Sequence, residues 1–247
     1  AAYPEAKIAG PSYSVCDAVT IEDFLAHCKA KGQKLDVLSW HEISQYYKDD
    51  QGGDIVVCPD IAHKNIMDTR RLVETKYPGL GIEEIHIDEW GGPLRDMGPG
   101  GNIAMLYYLD LAGVDRAAKT YWTGAGLRSD LLVDRETPRH SYWAWKVYAD
   151  GIGKRLVTET NDRGVVAIAS RDDSTGIVRA VLGRSRRHSG KERDKRLPSV
   201  RTRINFEGLS LSGKAEVTIL RLGPEVGPLL EKDLGSWPAA NTELILW

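Results

Sequence analysis

Strand and helix patterns alternate along the first 150 residues, and this alternation constrains the fold more than any other feature of the sequence. Short apolar, β-branched or aromatic runs predict strands at residues 7–10, 35–41, 82–90 and 119–122. Each strand is followed by a helical pattern, and the predicted helices cover residues 20–31, 60–77, 102–111 and 139–149. Thr20 is predicted to cap the first helix and Gly32 to end it. Four successive β-α units predict a parallel sheet with its helices packed outside.

The pattern changes after about residue 154. Period-two or continuous apolar runs, separated by turn clusters, now occur at residues 165–169, 177–182, 200–206, 217–222 and 244–247. Such runs predict a small antiparallel β-sandwich. The predicted division is therefore an α/β domain at residues 1–152 and a β-sandwich domain at residues 153–247.

Charge and composition argue against several functional classes. The 247 residues include 33 basic and 35 acidic side chains, which gives a formal net charge of −2 and no global attraction to nucleic acid or an acidic membrane surface. No apolar run approaches the roughly 18 residues of a membrane span. His, Cys and carboxylate residues do not cluster at metal-ligand spacings, and no phosphate-binding glycine-rich loop follows a strand. We therefore predict no metal, no cofactor, and neither nucleic acid nor membrane as a partner.

The segment with the clearest chemistry is the predicted strand that ends in Asp88-Glu89-Trp90 and breaks at once into a Gly-Gly-Pro turn. In parallel β/α barrels the reactive groups lie at the carboxyl ends of the strands. Strict alternation places Glu89 on the same face as Ile85 and Ile87, and we expect this face to point into the barrel. Asp88 is then expected to point toward the helices. A single carboxylate at a strand end is also typical of a surface or helix-capping residue.

The same alternation on the preceding strand puts Ser39 and His41 on one face and Glu42 on the other. We expect His41 to lie at the mouth of the barrel beside Glu89, where an imidazole hydrogen bond would hold the site. Glu42 is expected to point away. A lone histidine is also common as a structural residue of a core.

Taken together, these strand ends resemble a known enzyme family. The segments that carry the resemblance are, in chain order, Lys7-Ile8-Ala9-Gly10-Pro11, Leu35-Asp36-Val37-Leu38-Ser39-Trp40-His41, Asp88-Glu89-Trp90, Tyr121-Trp122-Thr123 and Pro138-Arg139-His140-Ser141-Tyr142. The chain resembles glycoside hydrolase family 39, the β-xylosidase and α-L-iduronidase group of the barrel retaining glycosidases. The resemblance extends over nearly the whole chain. It implies a carbohydrate substrate and hydrolysis of O-glycosyl bonds by double displacement, with retention of configuration.

The resemblance also implies roles for single residues. The Glu of the family's Glu-Trp motif is the catalytic nucleophile, which assigns that role to Glu89. His41 matches the histidine that lines the site at the end of the sixth strand, and Trp122 matches a tryptophan that forms a floor under the sugar. Trp90 offers a second apolar ring for substrate binding, although alternation turns it away from Glu89 and under the following loop. Arg95 in that loop is expected to contact sugar hydroxyls.

Two positions depart from the family pattern. The family has a tyrosine two residues after the histidine, where this chain has Ile43. Because that tyrosine supports the nucleophile, either Tyr46 or Tyr47 replaces it or the site is altered. The residue after Glu-Trp is Gly91 rather than asparagine.

A larger departure concerns the general acid/base, which in the family is the Glu of an Asn-Glu-Pro motif on the fourth strand. The chain contains no Asn-Glu dipeptide, and the order of its motifs places residue 1 just before the fifth strand. The resemblance therefore implies the C-terminal half of a (β/α)8 barrel followed by the β-sandwich, with little hydrolysis by this chain alone. Such a half barrel is expected to expose Ile85 and Ile87 and to need an upstream barrel half or a second copy as partner. The alternative is a non-catalytic carbohydrate-binding or structural protein on a degenerate barrel.

Overall fold

The chain folds into a mixed α/β structure built on a parallel sheet. The computed structural model describes residues 3, 5–43, 59–91, 98–119, 131–132, 136–151, 153–162, 164–185, 201–208, 214–222, 230–238 and 243–246. The strands of the sheet are β1 (Ala9–Tyr13), β2 (Val37–Ile43), β3 (Glu84–Gly91) and β4 (Arg116–Lys119). The helices are α1 (Ala18–Lys31), α2 (Pro59–Lys76), α3 (Gly98–Leu111) and α4 (His140–Asp150), with a short 3-10 helix at Pro78–Leu80. All neighbouring strands are parallel and follow one another in chain order, β1-β2-β3-β4. The predicted parallel β-α organisation is confirmed.

Helix α1 shows how the sequence fixes the boundaries of an element. Asp17 is the N-cap residue, and its carboxylate accepts hydrogen bonds from the amide of Val19 and the hydroxyl of Thr20. The prediction that Thr20 itself caps the helix is therefore wrong by one turn, because a carboxylate three residues earlier occupies that position. Gly32 ends the helix in the left-handed conformation, with φ of 59°, as predicted.

The apolar face of the sheet packs against the helices. Leu38 and Trp40 of β2 pair with Ile85 and Ile87 of β3, and all four are buried. They share one core with apolar residues of α1, α2 and α3, such as Ile66. The expectation that Ile85 and Ile87 point into the barrel and lie open is wrong, because the helices cover the apolar side of each strand.

The other face of the sheet is largely polar. Ser39 of β2 lies opposite His86 of β3, and His41 lies opposite Glu89, so these four side chains share the face that points away from the helices. We call this the inner face of the sheet.

After α4 the strands become antiparallel. Strands β5 (Lys154–Leu156), β6 (Val165–Arg171) and β7 (Val178–Arg184) form one sheet in that order. The remaining strands form two pairs, β8 (Thr202–Asn205) with β11 (Glu243–Leu246), and β9 (Lys214–Arg221) with β10 (Leu230–Pro238). This change lies where the sequence predicts a boundary. The grouping of these strands into a β-sandwich, and the division into domains 1–152 and 153–247, stay predictions.

Strands β6 and β7 pack directly on α3. Val166 and Ile168 of β6 belong to the same core as the parallel sheet. The approach is so close that a Cβ atom on Gly100 would lie 2.1 Å from the carbonyl oxygen of Arg184. The antiparallel strands therefore help to hold α3 in place. Among the described helices, none combines the length and the apolarity needed to cross a lipid bilayer.

Candidate active site

His41 and Glu89 meet at the carboxyl ends of two adjacent parallel strands. Nδ1 of His41 lies 3.1 Å from Oε2 of Glu89, and the two side chains are 19% and 23% exposed. The two atoms are close enough for a charge contact, but they are not aligned as a hydrogen bond, and within the described part of the chain Nδ1 has no hydrogen-bond partner. The prediction that His41 lies beside Glu89 is confirmed.

A β-bulge produces this contact. Trp40 lies opposite Ile87, and the next pair in the ladder is His41 opposite Glu89, so Asp88 is an extra residue in β3. In a regular ladder Asp88 would lie opposite His41, and Glu89 would point toward the helices. The extra residue turns Glu89 onto the inner face. Glu89 thus points inward as predicted, but it does not share a face with Ile87.

Asp88 does not point toward the helices, which corrects the prediction. Its exposed carboxylate accepts a hydrogen bond from the Ser12 hydroxyl, and Ser12 Oγ lies 3.1 Å from Ser39 Oγ. Because Ser39 belongs to the inner face, Asp88 lies on that face together with Glu89. Ser12 has φ of 56°, a conformation that is uncommon for residues other than glycine. These contacts link β1, β2 and β3 across the inner face.

Trp90 is a core residue. Its side chain is 0% exposed, and its ring stacks on Trp145 of α4 with centroids 5.8 Å apart and an interplanar angle of 17°. It packs away from Glu89, as alternation indicated. Because no part of the ring reaches the surface, its predicted contribution to substrate binding has no support in the geometry. Trp90 instead fixes the end of β3 on α4.

Several predicted site residues lie outside the described residues, namely Trp122, Arg95, Tyr46 and Tyr47. Their roles stay predictions. Glu42 does point away from Glu89, as expected, and is buried on the helix side of β2. The neighbouring Ile43 is also buried and lies opposite Gly91.

Comparison with solved structures supports the architecture. The structure of N2152 from Neocallimastix frontalis matches with a TM-score of 0.72 and 19% identity over 98% of this chain and 57% of that one. A monomeric beta-xylosidase from Caulobacter crescentus CB15 matches with a TM-score of 0.63 and 17% identity over 98% of this chain and 59% of that one. A glucosidase from Croceicoccus marinus matches with a TM-score of 0.59 and 17% identity over 94% of this chain and 46% of that one. The fold is glycosidase-like.

This chain spans just over half the length of the first two of these structures, 57% and 59%. No protein-family model and no curated protein matches the sequence. At identities below 20%, the glycosidase-like fold is what these matches establish.

A charged network lies on the inner face at the amino-terminal end of β3. The Glu84 carboxylate accepts a hydrogen bond from Lys7 and lies 2.7 Å from Nε2 of His86. These two contacts, with Lys7 contributing most, lower the pKa of Glu84 to about 2. Sequence reasoning missed this network, although the alternation of Glu84 and His86 along one strand face was visible. Within the described residues, no group of three or more His, Cys, Asp or Glu side chains is arranged to hold a metal ion.

Proposed function

We propose that this chain supplies the nucleophile side of a retaining glycosidase site, similar to the β-xylosidases of glycoside hydrolase family 39. The proposed scaffold is the C-terminal half of a (β/α)8 barrel followed by an antiparallel β-sandwich. One observation carries the proposal. Oε2 of Glu89 lies 3.1 Å from Nδ1 of His41, at the carboxyl ends of neighbouring parallel strands.

The topology of the sheet supports the barrel half. Strands β1 to β4 are adjacent in chain order, without the reversal that marks an open doubly wound sheet. Barrel enzymes place their reacting groups at the carboxyl ends of the strands, which is where His41 and Glu89 lie. The similarity in fold to a beta-xylosidase and a glucosidase supports the same scaffold.

Glu89 is proposed to attack the anomeric carbon of the sugar. Its ionised oxygen forms a bond to that carbon while the bond to the leaving oxygen breaks, and water later hydrolyses the glycosyl-enzyme ester. A proton on Nδ1 of His41 would stabilise the Glu89 carboxylate before attack and hold its orientation. Contacts of this kind are often poorly aligned until the substrate is bound, which agrees with the geometry here.

Asp88 does not fit the role of general acid/base. The two carboxyl groups of a retaining enzyme lie about 5–5.5 Å apart and flank the glycosidic bond. Asp88 and Glu89 are consecutive residues of one strand and reach the inner face from the same side, and Asp88 is bonded to Ser12. Since the chain also contains no Asn-Glu dipeptide, we propose that this chain does not supply the general acid/base. Without it, the chain should cleave only glycosides whose leaving group departs without protonation.

A leaving-group series tests this proposal. Hydrolysis of 2,4-dinitrophenyl β-xyloside should exceed that of 4-nitrophenyl β-xyloside by a large factor, and xylobiose should not be cleaved. Glu89→Gln should abolish the release of dinitrophenol. Azide should restore release by Glu89→Ala and yield the α-glycosyl azide, since azide then takes the place of the carboxylate. Rapid cleavage of xylobiose, or full activity of Glu89→Gln, would refute the assignment.

One observation favours a second function, which is carbohydrate binding without catalysis. Ile43, 2% exposed, occupies the place of the family's supporting tyrosine, so no hydroxyl reaches Glu89 from this position. If the chain binds carbohydrate without catalysis, the wild type and Glu89→Gln should bind a xyloside with equal affinity. No dinitrophenol would be released by either protein.

A further inference from the structure

A buried carboxylate lies directly behind the candidate site. Glu42 is only 2% exposed, which is rare for a glutamate unless its carboxylate is held by polar partners. Its Oε1 accepts a hydrogen bond of 2.8 Å from the indole nitrogen of Trp40, and its Oε2 accepts one of 3.3 Å from the side-chain amide of Asn65.

These contacts tie the end of β2 to a helix. Trp40 and Glu42 lie on the helix-facing side of β2, and Asn65 belongs to α2. The β1–α1 connection is also near, because the negative charge of Glu42 adds to burial in raising the pKa of the Cys16 thiol to about 12. The carboxylate therefore lies among groups from three successive segments of the fold.

The position of His41 depends on how the end of β2 is held. His41 precedes Glu42 and points to the opposite face, just after the irregular step in the ladder where β3 carries its extra residue. Within the described part of the chain no hydrogen bond holds its Nδ1, so the position of this atom beside Glu89 depends on how the end of β2 is held. Strand ends beside a bulge are the places where pairing is least regular.

We propose that Glu42 is a positioning residue of the candidate site. Its buried carboxylate, held by Trp40 and Asn65, fixes the end of β2 so that His41 faces Glu89. The catalytic consequence rests on the proposed function, whereas the positioning itself does not. An apolar side chain would fill this core position at lower desolvation cost, so the carboxylate favours a role in geometry over a role in stability.

The test measures whether the NMR signals of the His41 ring respond to a substitution of Glu89. In protein labelled at its six histidines, the His41 ring signals are assigned with His41→Gln. At one fixed pH, Glu89→Gln should shift the His41 signals in the wild type and leave those of the distant His27 unchanged. In a Glu42→Leu background the same substitution should no longer shift them. In Glu42→Gln, which keeps the shape and one acceptor oxygen, much of the response should remain.

Ile66→Ala provides the matched control, because Ile66 is fully buried next to Asn65 on α2 and makes no contact through a charge. It loosens the same helix but should preserve the response of His41 to Glu89→Gln. If Glu42→Leu does not fold, Asn65→Ala removes one donor to the Glu42 carboxylate, and the response should be reduced.

An unchanged response in Glu42→Leu, or in Asn65→Ala where that variant replaces it, overturns the proposal. So does an equal loss in Ile66→Ala, since Glu42 would then contribute only stability. The absence of any response in the wild type overturns it as well. The readout needs no hydrolysis, so failure of the glycosidase proposal would be seen separately, as full activity of Glu89→Gln on the activated xyloside.

Discussion

Glu89 lies opposite His41 in the β2–β3 ladder because the pairing skips Asp88, which is an extra residue in β3. The bulge turns two consecutive carboxylates onto the inner face, where regular alternation would allow only one. Bulges that re-aim a side chain are frequent beside active sites. The strand therefore buries Ile87 and Trp90 against the helices and still presents Glu89 to the opposite side.

Deletion of Asp88 should preserve the contact between His41 and Glu89. Without the extra residue, β3 would alternate regularly, with Ile87 and Trp90 toward the helices and Glu89 inward. The deletion removes the link to Ser12, so a modest loss of stability in urea unfolding is expected. The response of the His41 ring signals to Glu89→Gln should remain. Insertion of an alanine after Asp88 is the opposite change and should abolish that response. If the response survives the insertion, the proposed pairing of β2 with β3 is wrong.

Trp90→Ala should destabilise the protein by about 3–5 kcal/mol, as expected for removal of a fully buried tryptophan. Trp145→Ala, which removes the ring stacked on Trp90, is the matched control and should act in the same direction. Denaturant unfolding measures both. A Trp90 variant that keeps normal stability but loses affinity for a xyloside would show that the ring binds substrate after all.

The Cys16 thiol should make the protein sensitive to alkali. Burial, and to a smaller degree the charge of Glu42, raises the pKa of Cys16 from 9.0 to about 12. Between these values the unfolded chain loses the thiol proton and the folded chain keeps it, so folding stability falls by up to about 1.4 kcal/mol per pH unit. Urea unfolding from pH 8 to pH 11 should show a smaller decline in Cys16→Ala than in the wild type. In Glu42→Gln the pKa of Cys16 should drop, and equal slopes in all three proteins would disprove this account.

Glu84 should contribute to stability in acid. Its contacts with Lys7 and His86 lower its pKa from 4.5 to about 2, so the stabilisation is present above pH 4.5 and is lost as the pH falls toward 2. Glu84→Gln should therefore reduce stability at pH 6 and converge with the wild type near pH 2. Glu83 also lies 3.1 Å from Lys7, and Glu83→Gln leaves the contacts of Glu84 with Lys7 and His86 in place, so it should show a smaller difference. A Glu84→Gln protein as stable as the wild type at pH 6 would count against the network.

Much of the parallel sheet could be predicted from the sequence. Hydrophobic periodicity and helix-breaking residues located helices α1 to α4. Gly32 marked the end of α1 because the residue there adopts a left-handed conformation, which glycine accepts without strain. Strands β5 and β10 were not predicted. The first has three residues, and the second mixes charged residues with Gly235 and Pro238, so neither carries a period-two apolar pattern.

The candidate site was only partly predictable. Adjacent parallel strands end at the same edge, which was enough to bring His41 and Glu89 together. The bulge at Asp88 could not be predicted, because it depends on pairing with β2 rather than on the sequence of β3 alone. The faces of Asp88 and Ile87 were assigned incorrectly for another reason, because the apolar face was expected to point into the barrel whereas it packs against the helices. The links from Ser12 to Ser39 and Asp88 join residues far apart in the chain and leave no local pattern.

Covalent trapping tests the central claim most directly, since a retaining nucleophile forms an ester with the sugar. The chain is incubated with 2,4-dinitrophenyl 2-deoxy-2-fluoro-β-xyloside, whose leaving group needs no protonation and whose glycosyl-enzyme hydrolyses slowly. Intact-mass measurement should show one added fluoroxylosyl group in the wild type and none in Glu89→Gln, and peptide mapping should place it on Glu89. Labelling of Asp88 or another residue, or equal labelling of Glu89→Gln, would contradict the assignment of Glu89 as the nucleophile.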